Sequence, residues 1–227
     1  MLKLYIGNKN YSPWAMRPWV LLRQAGIAFE ERPVRFDSFA PGSQFKAQLA
    51  GLSPTGKVPV LVDDGLVLWD SLAIAEYLAE QYPGKQLWPA DRAARATARS
   101  VAAEMHSGFT ALRSACGMNI EARLPEAGAL VWRDNAGVRA DVQRLVAMWS
   151  VLLQEHGGPM LFGAFSIADA FYAPVCMRLA TFALPVPQPI ADYVRRVQAL
   201  PGVKDWIDGA LAEQDFREFE EPYRLRR

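Results

Sequence analysis

Apolar positions in the first third of the chain alternate between short solid runs and helical spacing. Leu2 to Ile6 is a short apolar run bounded by Gly7-Asn8, the mark of a buried strand. From Pro13 to Ala25, Met16, Trp19, Val20 and Leu22 recur on one helical face, and Gly26 ends the pattern. Phe29 to Val34 predicts a second strand, and a strand–helix–strand unit of this length implies a parallel pair. A short helix is expected around Phe45 to Leu49. Val58 to Val62 and Leu66 to Trp69 flank Asp63-Asp64-Gly65, which predicts two strands joined by a hairpin turn. Asp70 or Ser71 then caps a helix running to about Gln81. The predicted order is β-α-β-α-β-β-α, a small α/β layer fold.

Tyr82-Pro83-Gly84 and Trp88-Pro89-Ala90 punctuate a short connection, after which the pattern changes. Apolar stripes predict helices over Asp91–Ser114, Asp134–Gln154, Ile167–Leu179, Ile190–Leu200 and Val203–Glu213, and no strand pattern recurs. Residues 1–81 are therefore expected to form the α/β unit, 82–90 a linker and 91–227 an all-helical domain. The charged tail from Phe216 to Arg227 is expected to be peripheral.

Composition narrows the function classes. The 227 residues carry 25 Lys and Arg against 24 Asp and Glu, and through Glu80 the chain holds eight of each. Neither a nucleic-acid groove nor an anionic membrane surface is expected of so even a balance. No charge-free run approaches the roughly 18 residues of a membrane span, and the N-terminus lacks a secretory pattern. Cys116 and Cys176 lie far apart, with no CxxC and no His at ligand spacing, so neither a structural zinc nor a dithiol motif is expected. Two lone cysteines point to a reducing, cytoplasmic compartment.

Three segments carry candidate chemistry. In Tyr11-Ser12-Pro13-Trp14-Ala15-Met16-Arg17, Ser12 is a natural N-cap with Pro13 at the first helical position. Capping alone would explain it, but a hydroxyl there also faces the crevice where open α/β sheets bind ligands. No His or carboxylate stands nearby in sequence to make Ser12 a nucleophile, so its chemistry is donation to an anion. In Ser53-Pro54-Thr55-Gly56-Lys57-Val58-Pro59, the proline either opens an edge strand or follows a cis bond. The cis form would leave the Val58 backbone free to pair with an extended, peptide-like ligand. Asp70-Ser71 marks another helix start directly after a strand, where a ligand carboxylate and a ligand ammonium could both be received.

Taken in order, these segments resemble the glutathione transferase family, and the resemblance spans almost the whole chain. It rests on the Val58-Pro59 strand, the Asp70-Ser71 pair opening Ser-x-Ala-Ile-x-Glu-Tyr-Leu, and the switch to helices after Gln81. Gly163-Ala164-Phe165-Ser166-Ile167-Ala168-Asp169 is similar to that family's capping box, and Tyr193 to Val203 to its late-helix ending. The resemblance implies a thioredoxin-like α/β N-terminal domain followed by an all-α C-terminal domain that forms the second-substrate pocket. Glutathione would be the co-substrate, with no metal, and the protein a cytoplasmic homodimer acting in detoxification.

Ser12-Pro13-Trp14-Ala15-Met16-Arg17 resembles the serine-type signature of the tau, zeta and related classes. By that resemblance Ser12 would bond the glutathione sulfur, with Tyr11 the internal rival, and Arg17 would be structural. Lys57 would take the glycyl carboxylate, the Val58 backbone the cysteinyl moiety, Asp70 the γ-glutamyl amine and Ser71 its carboxylate. Tyr11, Trp14, His106 and Phe109 are candidate walls for a small apolar electrophile. A lone His on an apolar helix is more often packed than catalytic, and His106 is weighed accordingly. Pro13 and Trp14 stand where the zeta signature has Ser and Cys, and no cysteine stands near Ser12, which counts against isomerase and thioltransferase chemistry. The alternatives to transfer are a glutathione-dependent isomerase or peroxidase, or a non-catalytic partner-binding protein on the same fold.

Overall fold

The computed structural model describes all 227 residues. The α/β half runs β1 (Lys3–Ile6), α1 (Pro13–Gln24), β2 (Glu30–Pro33), α2 (Gln44–Leu49), β3 (Val60–Asp63), β4 (Leu66–Trp69) and α3 (Ser71–Gln81). The sheet order is β2-β1-β3-β4, with β1 parallel to β2 and the other pairs antiparallel. This is the thioredoxin-like arrangement, and the β-α-β-α-β-β-α order read from periodicity is the order observed. The Val58-Pro59 bond is cis. Val58 precedes Val60, the first residue of β3 paired with β1 and β4.

The helical half comprises α4 (Arg92–Ser107), α5 (Thr110–Ala115), α6 (Pro125–Asp134), α7 (Ala136–Glu155), α8 (Ile167–Thr181), α9 (Gln188–Ala199) and α10 (Pro201–Glu213). Two features depart from the sequence pattern. The single helix expected over Asp91–Ser114 is broken at Gly108-Phe109, where Phe109 adopts φ +53°. Residues after the break turn back so that the Leu112 N–H reaches Asp141 at 2.9 Å. Helix α6 has no counterpart among the helices expected from sequence, and Gly128 lies inside it. A Cβ there would lie 1.8 Å from the Phe182 carbonyl oxygen, so the glycine marks close packing and not a turn.

A continuous core runs through both halves, with α1 at its centre. Met16, Val20, Leu21 and Leu22 are fully buried, and Trp19 packs edge-on against Trp206 of α10 at 5.3 Å. Trp149, Phe171 and Tyr172 lie in this core. A capping box opens α8: Asp169 accepts from the Ser166 N–H at 3.0 Å, and the Ser166 hydroxyl accepts from the Ala168 N–H at 3.3 Å. A smaller cluster of Tyr11, Val34, Phe36, Phe45 and Leu49 sits beyond the C-terminal end of β1. Gly7 is required there, since any Cβ would lie 2.2 Å from the Phe36 ring. No helix is long and apolar enough to cross a membrane.

Candidate functional site

Strand β1 ends at Ile6, and the short connection that follows delivers Tyr11 and Ser12 to the start of α1. They open onto a cavity of about 380 Å³ whose wall includes Tyr11, Ser12, Trp14, Lys57, Val58 and Glu220. Ser12 occupies the N-cap position yet makes no capping bond. The first intrahelical bond is from the Met16 N–H to the Ser12 carbonyl, at 3.1 Å, so the Trp14 and Ala15 N–H groups precede the ladder. The Ser12 hydroxyl and two amides thus stand at the positive end of the α1 dipole. A donor so placed suits an anion better than a neutral ligand.

Tyr11, the rival to Ser12, is engaged elsewhere. Its hydroxyl donates to Glu221 at 2.6 Å and accepts from the Arg217 N–H at 3.3 Å. Burial and the Glu221 bond push its pKa up to about 12. The expectation that the tail from Phe216 to Arg227 is peripheral is therefore corrected. Glu221 is buried, accepting from Tyr11, from Asn119 at 2.8 Å and from Arg224 Nε at 2.8 Å. Burial alone would raise the Glu221 carboxyl, but these donors outweigh it and hold the group below its ordinary value. Its neighbour Glu220 lines the cavity and is pushed up to about 7 by burial.

A folded carboxyl pKa below the unfolded one stabilises above about 4.3 and is lost as pH falls through the folded value. Hydrogen exchange should therefore show residues 216–227 losing protection on acidification below about pH 4, ahead of the helices. Tyr11→Phe removes one donor to Glu221 and should move that release to higher pH. Tail protection unchanged by Tyr11→Phe would contradict the clamp.

Asp70 and Ser71 lie beyond the cavity wall, reached through a relay of contacts. Asp70 caps α3 by accepting the Leu72 N–H at 2.8 Å, in a left-handed backbone conformation with φ +75°. Its second oxygen is 3.2 Å from His106 Nε2. The His106 ring meets Trp14 edge-on at 5.2 Å. Burial lowers the His106 pKa in spite of Asp70. Ser71 is buried, and its hydroxyl accepts weakly from Arg17 Nη1 at 3.5 Å. Phe109, expected as a pocket wall, is instead a core residue packed on Tyr172 at 6.3 Å, because the break after Gly108 turns it inward.

Three arginines at or near this cavity were not legible as site residues. Arg17, read as structural, spreads its guanidinium over the Trp14 ring at 4.2 Å. Burial, then the nearby Arg113 and Arg178, bring its pKa down to about 9. Arg113 and Arg178 line the cavity with Ser12. They come from helices far apart in sequence, and no local spacing signals their meeting.

Two family models match the chain. "Glutathione S-transferase, N-terminal domain" covers residues 11–81, and "Glutathione S-transferase, C-terminal domain" covers 92–209. Glutathione S-transferase 1 of Dianthus caryophyllus is 31% identical over 175 residues, which span 76% of this chain and 75% of that protein. A probable maleylacetoacetate isomerase of Caenorhabditis elegans is 29% identical, over 86% of this chain and 87% of its own. Among solved structures, a glutathione transferase homolog from Burkholderia GL BGR1 with bound glutathione is 29% identical. It superposes with a TM-score of 0.68 over 93% of this chain and 98% of that one. Fold, family models and sequence relatives agree, and the chain belongs to the glutathione S-transferase family.

Proposed function

We propose that this glutathione transferase stabilises the glutathione thiolate with the Ser12 hydroxyl, for attack on a small electrophile held beside Trp14. The observation that carries the proposal is the Ser12 hydroxyl itself, which caps nothing although it stands at the N-cap of α1 beside the cavity. Lys57 and Val58 on the same wall would take the glycyl carboxylate and the cysteinyl backbone. Asp70 and Ser71 at the start of α3 would take the γ-glutamyl amine and carboxylate.

A free thiol of pKa about 8.5 is only slightly ionised at neutral pH. Lowering that value by about two units corresponds to roughly 2.7 kcal/mol of differential stabilisation. A hydroxyl donor to charged sulfur supplies about 1–3 kcal/mol, and a helix N-terminus about 0.3–2 kcal/mol. Together they suffice without a protein base. The thiol proton leaves to solvent, the sulfur forms a bond to the electrophilic carbon, and the leaving group departs with its electron pair.

Titrating the thiolate ultraviolet absorbance of bound glutathione tests this reading. Ionisation well below the free value is the expected result; binding with no shift would remove thiolate stabilisation from the mechanism. The same reading makes the protein a homodimer in a reducing compartment, in keeping with the free thiols of Cys116 and Cys176. Leu66 and Trp69 on edge strand β4 are about half exposed, which supports a self-contact. Sedimentation should give a species about twice the 25.2 kDa chain mass; a monomer at micromolar concentration would rule the dimer out.

A further inference from the structure

Three guanidinium groups from three helices converge behind Trp14. Arg17 of α1, Arg113 of α5 and Arg178 of α8 line a second cavity of about 290 Å³, together with Met105 and Ser114. Pro13, Trp14, Arg113 and Arg178 are common to this cavity and to the one that holds Ser12, so the two adjoin. Arg17 and Arg178 are only 2% and 5% exposed.

No carboxylate of the chain lies within 4.0 Å of any of the three, whereas Arg99, Arg144 and Arg224 each hold one. Their bonds run to neutral oxygens. Arg17 reaches the Ser71 hydroxyl, Arg113 the His106 carbonyl at 3.4 Å, and Arg178 the carbonyls of Arg113 and Cys116. The Nε atoms of Arg17 and Arg113 are buried with no partner at all. Asp70 is already engaged by His106, and Glu220 faces Arg178 only from the tail, beyond ion-pair distance. Buried cations without a counter-ion are strongly unfavourable, and an incoming anion with two acceptor oxygens would relieve that.

We propose that the electrophile taken by this protein carries a carboxylate, seated on Arg17, Arg113 and Arg178, with its reactive carbon past Trp14 in the Ser12 cavity. This rests on the transferase reading of that cavity and adds the substrate class to it. With 4-chloro-3,5-dinitrobenzoate, for example, the thiolate would form a carbon–sulfur bond as chloride departs with the bonding pair.

Calorimetric titration with the unreactive 3,5-dinitrobenzoate and its neutral amide tests the seat independently of turnover. The acid is expected to bind at least about tenfold more tightly than the amide, a preference lost in Arg113→Gln and partly kept in Arg113→Lys. Over the uncatalysed rate, 4-chloro-3,5-dinitrobenzoate should likewise exceed its methyl ester about tenfold in kcat/KM. Equal binding of acid and amide, binding of neither, or a preference that survives Arg113→Gln overturns the proposal. So does Arg113→Gln weakening glutathione alone, which would give the arginine to glutathione's own carboxylate. If glutathione fails to bind while dinitrobenzoate keeps its charge preference, the anion seat stands and the transferase reading falls.

Discussion

Replacing Ser12 with alanine is expected to raise the thiol pKa of bound glutathione toward its free value, near 8.5, leaving only the contribution of the α1 N-terminus. Loss of a donor to a charged acceptor corresponds to about 1–3 kcal/mol, or one to two pKa units. Near pH 6.5 the thiolate fraction, and kcat/KM with it, should fall roughly 10- to 100-fold. Glutathione affinity should change far less, because Lys57, Val58, Asp70 and Ser71 are untouched. Tyr11→Phe is the necessary comparison. The Tyr11 hydroxyl already donates to Glu221, so its loss should loosen the tail and leave the thiol pKa in place. A thiol pKa indifferent to Ser12→Ala but raised by Tyr11→Phe would reverse the two roles.

Asp169→Ala is expected to have the largest effect on stability of any single change considered. The buried Asp169 carboxylate accepts from the Leu161 N–H at 3.1 Å, the Ser166 N–H at 3.0 Å and the Tyr193 hydroxyl at 2.9 Å. Alanine would orphan all three donors in the core, at about 1–3 kcal/mol each. A total near 4 kcal/mol lowers the unfolding midpoint of a chain this size by roughly 10 °C. Burial pushes the Asp169 carboxyl up to about 6 against those donors. With its folded pKa above the unfolded value of about 3.9, Asp169 contributes less stability as pH rises between the two. Asp169→Asn, which does not ionise, should therefore gain on the wild type from about pH 4 to about pH 6 and then hold a constant difference. A flat difference across that window would mean that Asp169 is not titrating there.

What could be read from sequence was whatever lies in local periodicity. Leu2–Ile6, the α1 stripe and the Asp63-Asp64-Gly65 turn signal their elements within a few residues, and the sheet followed. Tyr11, Ser12, Lys57 and Val58 meet in one cavity because the strand ends that carry them were legible. The helical half was less transparent where one residue serves a contact. Gly128 admits the Phe182 backbone and so disguises a helix; Phe109 breaks one to reach Tyr172. Nothing local marks Arg113 and Arg178 as neighbours of Arg17. Glu221 stands in a charged tail that has the composition of a solvated surface, and its burial depends on distant partners, the Tyr11 hydroxyl 210 residues away and the Asn119 amide.

The placement of α1 bears on how the molecule comes apart. Its residues pack on the sheet, on Phe171 of α8 and on Trp206 of α10, and the Trp206 indole donates back to the Lys9 carbonyl at 3.0 Å. Severing the chain between Gln81 and Arg92 would strip both halves of this shared helix's partners and expose tryptophan on each side. The two regions matched by separate family models are thus expected to melt together as one cooperative unit, and neither to fold on its own when expressed alone.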